Sequence, residues 1–277
     1  MNSIVKHYVL TVFSSIYLVD YEKINSLISY GEEKPDTSVH IPRTTFFSCK
    51  KVFPEHQQIL WKNRSIPVFF FKENIKEPFS VEDSYIKFHF DIIGNIFYFL
   101  SGWQEYYSSD RDRYGRFPFK SSVQYKLNIA HIPVVNYYLD MLKVACERVW
   151  NTQIMFREKY QTPSVMLSHD IDKINTGWLE EGNALLKEKK IISLFQLIMK
   201  RIFDKDPWNN LLEIVRIEKQ MQVKSVFYIL PRKGKYQEVK NADYTIASLT
   251  TQLQKIKDLG WKTGLHASFG TSNNEKE

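Results

Sequence analysis

The sequence predicts an α/β protein of two domains, a mixed α/β domain over residues 1–158 followed by a β/α layer with parallel strands over 159–277. Three observations predict it. The chain, at 277 residues, is longer than an ordinary domain of ~100–200 residues. Its composition, 43% hydrophobic and 25% charged, is that of a globular chain able to bury a core. Near Gln161 the pattern changes from short aromatic runs mixed with amphipathic segments to strands alternating with helices.

At the N-terminus, Lys6 precedes a mostly apolar stretch from Tyr8 to Val19 that imitates a signal peptide. Ser14, Ser15 and Tyr17 interrupt it, it offers no small-residue cleavage site, and it is shorter than the ~20 residues of a membrane span. A core helix is expected. The aromatic share of 15% concentrates in runs such as Pro67–Phe71 and Ile96–Leu100, which read as core or strand. Ile92, Ile93, Ile96, Phe97 and Leu100 fall at helical spacing, as do Tyr138, Leu142, Ala145 and Val149. Between these helices, Asp112–Pro118 is a charged loop punctuated by Gly115 and Pro118.

In the second part, Ser164–Leu167 predicts a short buried strand ending at Ser168–Asp172. Asp206 and Pro207 predict the N-cap and first residue of a helix running into Leu211, Leu212 and Val215. Ser225–Leu230 is a second buried strand. Asp243 predicts the cap of a helix whose apolar residues are Ile246, Leu249, Leu253 and Ile256, with Gly260 as its C-terminal glycine. Lys262–His266 is a third strand. Strand and helix in alternation imply parallel strands covered by helices, as a barrel or an open sheet.

The net charge of +7, from 38 Lys and Arg against 31 Asp and Glu, favours anionic partners. The basic residues are scattered, however, and the clusters at Lys187–Lys190 and Arg232–Lys235 carry no interleaved aromatics, so a nucleic-acid partner is not expected. The cysteines, Cys49 and Cys146, stand in no metal or redox spacing, which predicts reduced, buried thiols and a cytoplasmic location.

In parallel α/β architectures ligands and catalytic groups gather at the C-terminal ends of strands. Two polar groups of residues fall there, His169-Asp170-Ile171-Asp172 after the first strand and His266, with Ser268 beyond it, after the third. An extended Asp-x-Asp sends both carboxylates to one side, so one can bind a divalent cation while the other moves a proton. Taken alone, an Asp-x-Asp is more often a solvated loop or a helix cap. His7, His40, His56, His89 and His131 show no partner pattern and read as surface or ordinary core residues.

Val165-Met-Leu-Ser-His-Asp-Ile-Asp172 resembles the first motif of polysaccharide deacetylases, carbohydrate esterase family 4, in its Ser/Thr-His-Asp-Val-Asp form. Gly264-Leu-His-Ala-Ser268 resembles the second, preceded by the Asp243-Tyr244 pair. Phe99–Tyr106 and Tyr114–Pro118 resemble an uncharacterised domain that often precedes such deacetylases in bacteria. The resemblance implies the first part of a (β/α) deacetylase barrel and a metal-dependent hydrolase removing N- or O-acetyl groups from an acetylated carbohydrate. It implies Asp170 as general base, Asp172 and His266 as ligands of a divalent metal, zinc, and Ser268 as shaping the loop behind His266. Where the family carries a further histidine this chain has Gly270, and the later motifs with a third ligand and a general acid are missing. The resemblance therefore implies an incomplete barrel, inactive or impaired at this chain length. A non-catalytic glycan-binding or assembly protein is the alternative.

Overall fold

The computed structural model describes residues 2–31, 37–44, 50–82, 85–158, 164–203, 208–236, 239–268 and 271. It divides into two compact units, Met1–Pro163 and Ser164–Glu277. The fold is mixed α/β, with ten α-helices and several sheets among the described residues and no closed barrel.

The first unit opens with α1, Asn2–Ile16, which buries Val5, Val9, Leu10 and Phe13 at spacings of three and four. The apolar N-terminal stretch is thus part of a core helix as far as Ile16, and Tyr17–Val19 lie beyond its end. After α2 (Tyr21–Leu27) come β1 (Ile28–Tyr30) and β2 (Val39–Ile41). These pair in parallel with each other and β2 in parallel with β6 (Ile86–Phe88), while β5 (Phe79–Val81) closes the four-stranded sheet antiparallel to β6. A separate hairpin joins β3 (His56–Trp61) to β4 (Arg64–Phe69). Its two-residue turn puts both Lys62 and Asn63 at positive φ, the geometry whose twist matches that of the flanking strands.

Two helices complete this core, α3 (Ile92–Leu100) and α6 (Val134–Trp150), where the spacing placed them. Short helices α4 (Trp103–Tyr107) and α5 (Val123–Lys126) lie between them in sequence. The α3 helix is capped by Asp91, whose carboxylate accepts from the Gly94 N–H at 2.6 Å. One turn on, buried Asn95 exchanges two hydrogen bonds with the Phe69 backbone, fixing α3 on β4 at 2.9 and 2.6 Å. The aromatic runs pack in or against the core, with Phe69, Phe70 and Tyr98 buried and Phe71, Phe97 and Phe99 half-buried. Cys146 is a free, buried thiol whose pKa burial pushes up; Cys49 lies outside the described residues.

In the second unit three parallel strands stand in the order β11-β8-β7, with β7 spanning Leu167–Ile171, β8 Ser225–Ile229 and β11 Lys262–Leu265. The helices are α7 (Gly177–Lys187), α8 (Ile191–Phe203), α9 (Leu211–Gln220) and α10 (Ile246–Asp258), and β9 (Lys235–Tyr236) and β10 (Val239–Lys240) form a short antiparallel pair. Ile171, Phe227 and Ile229 from the sheet bury against Leu211 and Val215 of α9 and Leu249 and Ile256 of α10. The second and third strands and the helix over 246–258 match expectation, and Gly260, at φ +87°, ends that helix as its position predicted.

Several expectations need correction. Ser164–Leu167 is not a buried strand: Val165 and Met166 are 85% and 86% exposed, and pairing with β8 begins only at Leu167, opposite Ser225. The strand runs instead from Leu167 through Ser168, His169 and Asp170 to Ile171, the residues that find backbone partners on β8. Asp243 does not cap α10. Thr245 does, in a reciprocal capping box with Ser248. Leu212 and Ile246 are exposed rather than on the buried stripe. Asp206, Pro207 and Gly270 lie outside the described residues.

Candidate functional site

Register decides which face each strand residue takes. Asp170 stands opposite Tyr228, and Tyr228 opposite Gly264, so the three share one row across β7, β8 and β11. Ile171 and Ile229 make the neighbouring row, on the opposite face, where α9 and α10 pack. Asp170 therefore points away from the apolar core, onto an open face of the sheet. His266 follows the last residue of β11, its N–H donating to the Ile229 carbonyl at 2.9 Å. Its imidazole Nε2 comes within 3.5 Å of Asp170 Oδ2, with the two side chains 33% and 57% exposed. Only two strands' separation lies between residues far apart in sequence.

Gly264 makes this face possible. A β-carbon there would fall 2.7 Å from the Tyr228 ring, so the tyrosine can lie over β11 only because that position has no side chain. Asp172 is exposed just beyond β7. Ser268, the loop residue beyond His266, is buried with no hydrogen-bond partner for its hydroxyl among the described residues.

Two groups hold the loop after β7. Asp243 accepts from the backbone N–H groups of Ile174, Asn175 and Thr176 at 2.9, 2.9 and 2.6 Å and from the Thr176 hydroxyl at 2.8 Å. Burial alone would raise its pKa, but these hydrogen bonds outweigh burial and hold the carboxyl below its ordinary value. Next to it, the buried Tyr244 hydroxyl donates to the Ile171 carbonyl and accepts from the Leu230 N–H, tying the ends of β7 and β8 together. Burial raises the pKa of this phenol, and the charges of Asp172 and Asp243 add to the effect.

On the core side of β7, His169 is directed to Glu218 of α9, a residue the sequence did not single out. Glu218 is 5% exposed and accepts from His169 Nε2 at 2.7 Å, the Ser225 hydroxyl at 2.8 Å and the Trp261 indole at 2.5 Å. Burial pushes its pKa up, and the three hydrogen bonds more than reverse that, leaving it low. A lone glutamate on an amphipathic helix carries no sequence signal, since its partners come from three other elements. His169 thus belongs to a buried brace, while its neighbour Asp170 faces the open side.

Asp172 and His266 supply the carboxylate and imidazole donors that suit zinc in kind. In number they fall short: among the described residues no group of three or more His, Cys, Asp or Glu is placed to hold a metal ion. The residues expected to act together are thus brought together in part, Asp170 with His266.

Compared with known protein families, residues 3–151 match a family of unknown function, DUF7033. The chain belongs to that family. The DUF7033 match lies wholly within the first unit and does not reach Asp170, Asp172 or His266. No curated protein and no solved structure matches the chain. Among the described residues no helix is long and apolar enough to cross a membrane.

Proposed function

We propose that the second unit of this DUF7033 protein is the opening part of a (β/α) deacetylase barrel that removes acetyl groups from an acetylated carbohydrate. The observation that carries this reading is the approach of Asp170 Oδ2 to His266 Nε2, 3.5 Å, on a sheet face free of the covering helices. In a closed barrel that face would be the interior, and strand-end residues on it would line the reaction site.

On this reading Asp170 takes a proton from the water that attacks the acetyl carbonyl, the acetyl–nitrogen or acetyl–oxygen bond breaks as that proton passes on to the leaving nitrogen or oxygen, and acetate and the free amine or alcohol leave. Asp172 and His266 would hold a divalent cation, zinc by their donor chemistry. When bound, it supplies Lewis-acid polarisation and lowers the pKa of water. Asp243 and Tyr244 hold the strand end and loop flanking the two aspartates. With two donors the affinity for zinc is expected to be weak.

Zinc titration calorimetry on this protein tests the reading, together with acetate release from a chitin oligomer and an O-acetylated xylan. Asp172→Asn and His266→Gln should each weaken zinc at least tenfold, and Asp170→Asn should remove what acetate release there is. Zinc binding unchanged in the Asp172→Asn/His266→Gln double variant, with no acetate released by the wild type, sinks it. Glycan binding without any acetate release would favour the non-catalytic alternative.

A further inference from the structure

A cleft of about 570 Å³ opens at the ends of the parallel strands of the first unit. In β1, β2 and β6, Ser29 pairs with His40 and His40 with Lys87, so these three form one polar row across the sheet. Rows on either side, Ile28–Val39–Ile86 among them, bury in the core. The sheet thus has one apolar and one polar face. The cleft lies over the polar row and extends past the C-terminal ends of the strands, where Gly31, Arg43 and His89 follow. In parallel α/β sheets this is the position at which ligands bind, and the volume falls within the ~300–1,000 Å³ of small-molecule sites.

The lining has a clear charge bias. It includes Arg43, Lys72, Lys87, His40 and His89 against a single carboxylate, Glu73, among the described residues. At its floor His40, 8% exposed, is fixed by a 2.7 Å hydrogen bond between its Nδ1 and the buried Ser29 hydroxyl. The Tyr85 ring meets the imidazole edge-on at 4.6 Å. A histidine held by two neighbours at the bottom of a basic cleft is preorganised, which lowers the cost of binding. Asp91 fixes the rim, its Oδ2 accepting from the Tyr30 hydroxyl and from the Thr44 N–H and hydroxyl at 3.1, 3.2 and 3.3 Å. Gly31, at φ +93°, lies so close to Arg43 that a β-carbon there would fall 3.0 Å from the Arg43 Cβ.

From this arrangement we infer that the cleft is a binding site for a monosaccharide-sized organic anion, its carboxylate or phosphate held by Arg43 and Lys72 and its polar body by His40. The site is independent of Asp170 and His266 and stands or falls apart from the deacetylase reading.

The test is calorimetric titration of the protein with glucuronate, glucose 6-phosphate, inorganic phosphate and, as a neutral control, glucose. At least one anion should bind at millimolar concentration or below, more weakly as salt is raised. Arg43→Gln/Lys72→Gln should weaken it about tenfold or more; both positions are exposed, and circular dichroism checks that the variant is folded. Glucuronate binding alone assigns a carboxylate ligand, and binding of the two phosphates alone assigns a phosphate ligand; either supports the site. Failure of all three anions, glucose binding as tightly as they do, or an affinity unchanged in the double variant overturns it. Should that variant unfold, Lys72→Gln alone must still weaken binding, or the inference fails.

Discussion

Asp243 holds Thr176 twice, its Oδ2 accepting from the Thr176 N–H at 2.6 Å and from the Thr176 hydroxyl at 2.8 Å. One carboxylate thereby sets the course of the chain beyond β7. Hydrogen bonds to an ionised acceptor contribute about 1.5–3 kcal/mol each, less where solvent competes. We expect Asp243→Ala to destabilise the second unit by about 2–3 kcal/mol in urea unfolding. A loss below about 0.5 kcal/mol would mean that the clamp is dispensable.

Glu218 is a second single residue with several dependants. In Glu218→Gln one acceptor oxygen is replaced by an amide that faces donors from Ser225, Trp261 or His169. The expected cost is about 1–3 kcal/mol, read from thermal or urea unfolding. A variant as stable as the wild type would show that the three donors find other acceptors.

The carboxylates of the two units give opposite pH dependences. Burial raises the Asp91 pKa to about 6 from 3.8, against the opposing hydrogen bonds from Gly94, Thr44 and Tyr30. Its folded pKa is above the unfolded one, so its contribution is full below pH 3.8 and is lost as pH rises through about 6. The loss amounts to about 3 kcal/mol, at 1.36 kcal/mol per pKa unit. Asp243 and Glu218 have folded pKa values below the unfolded ones, so their contributions are present near neutrality and disappear as pH falls. Urea unfolding from pH 4 to 7, with the units followed separately by hydrogen exchange, should show the Asp91 term as a slope that Asp91→Asn flattens. An identical slope in that variant would contradict the assignment.

The open face of the second sheet depends on a missing side chain. Gly264→Ala places a methyl 2.7 Å from the Tyr228 ring, and overpacking of this kind typically costs about 1–3 kcal/mol. Because the clash is with one ring, the double variant Gly264→Ala/Tyr228→Ala should be less destabilised than the sum of the two single changes. Simple additivity in unfolding experiments would show that Tyr228 is not what Gly264 accommodates.

Much of this was legible in the residues themselves. Helix α1, the helices at 92–100 and 134–150, the strands at 225–229 and 262–265 and the glycine after α10 all follow from local periodicity and capping chemistry. Those signals act within a few residues, where backbone geometry alone sets which side chains share a face. Residues that work across elements were not legible. Asp243 has the chemistry of a cap and sits before a helix, yet its donors lie in the loop after β7; Glu218 finds its three donors on β7, β8 and the segment before β11.

The sequence by itself determined that this is an α/β chain, that its second half is built on parallel strands, and that Asp170, Asp172 and His266 fall at or beside strand ends. Only the tertiary structure decided that Asp170 turns from the core towards His266 while His169 turns inward to Glu218, and that Ser29, His40 and Lys87 line up beneath a basic cleft. The reason is register. A shift of one residue in strand pairing moves every side chain to the other face, and that choice is made by the neighbouring strand and the helices packed on it.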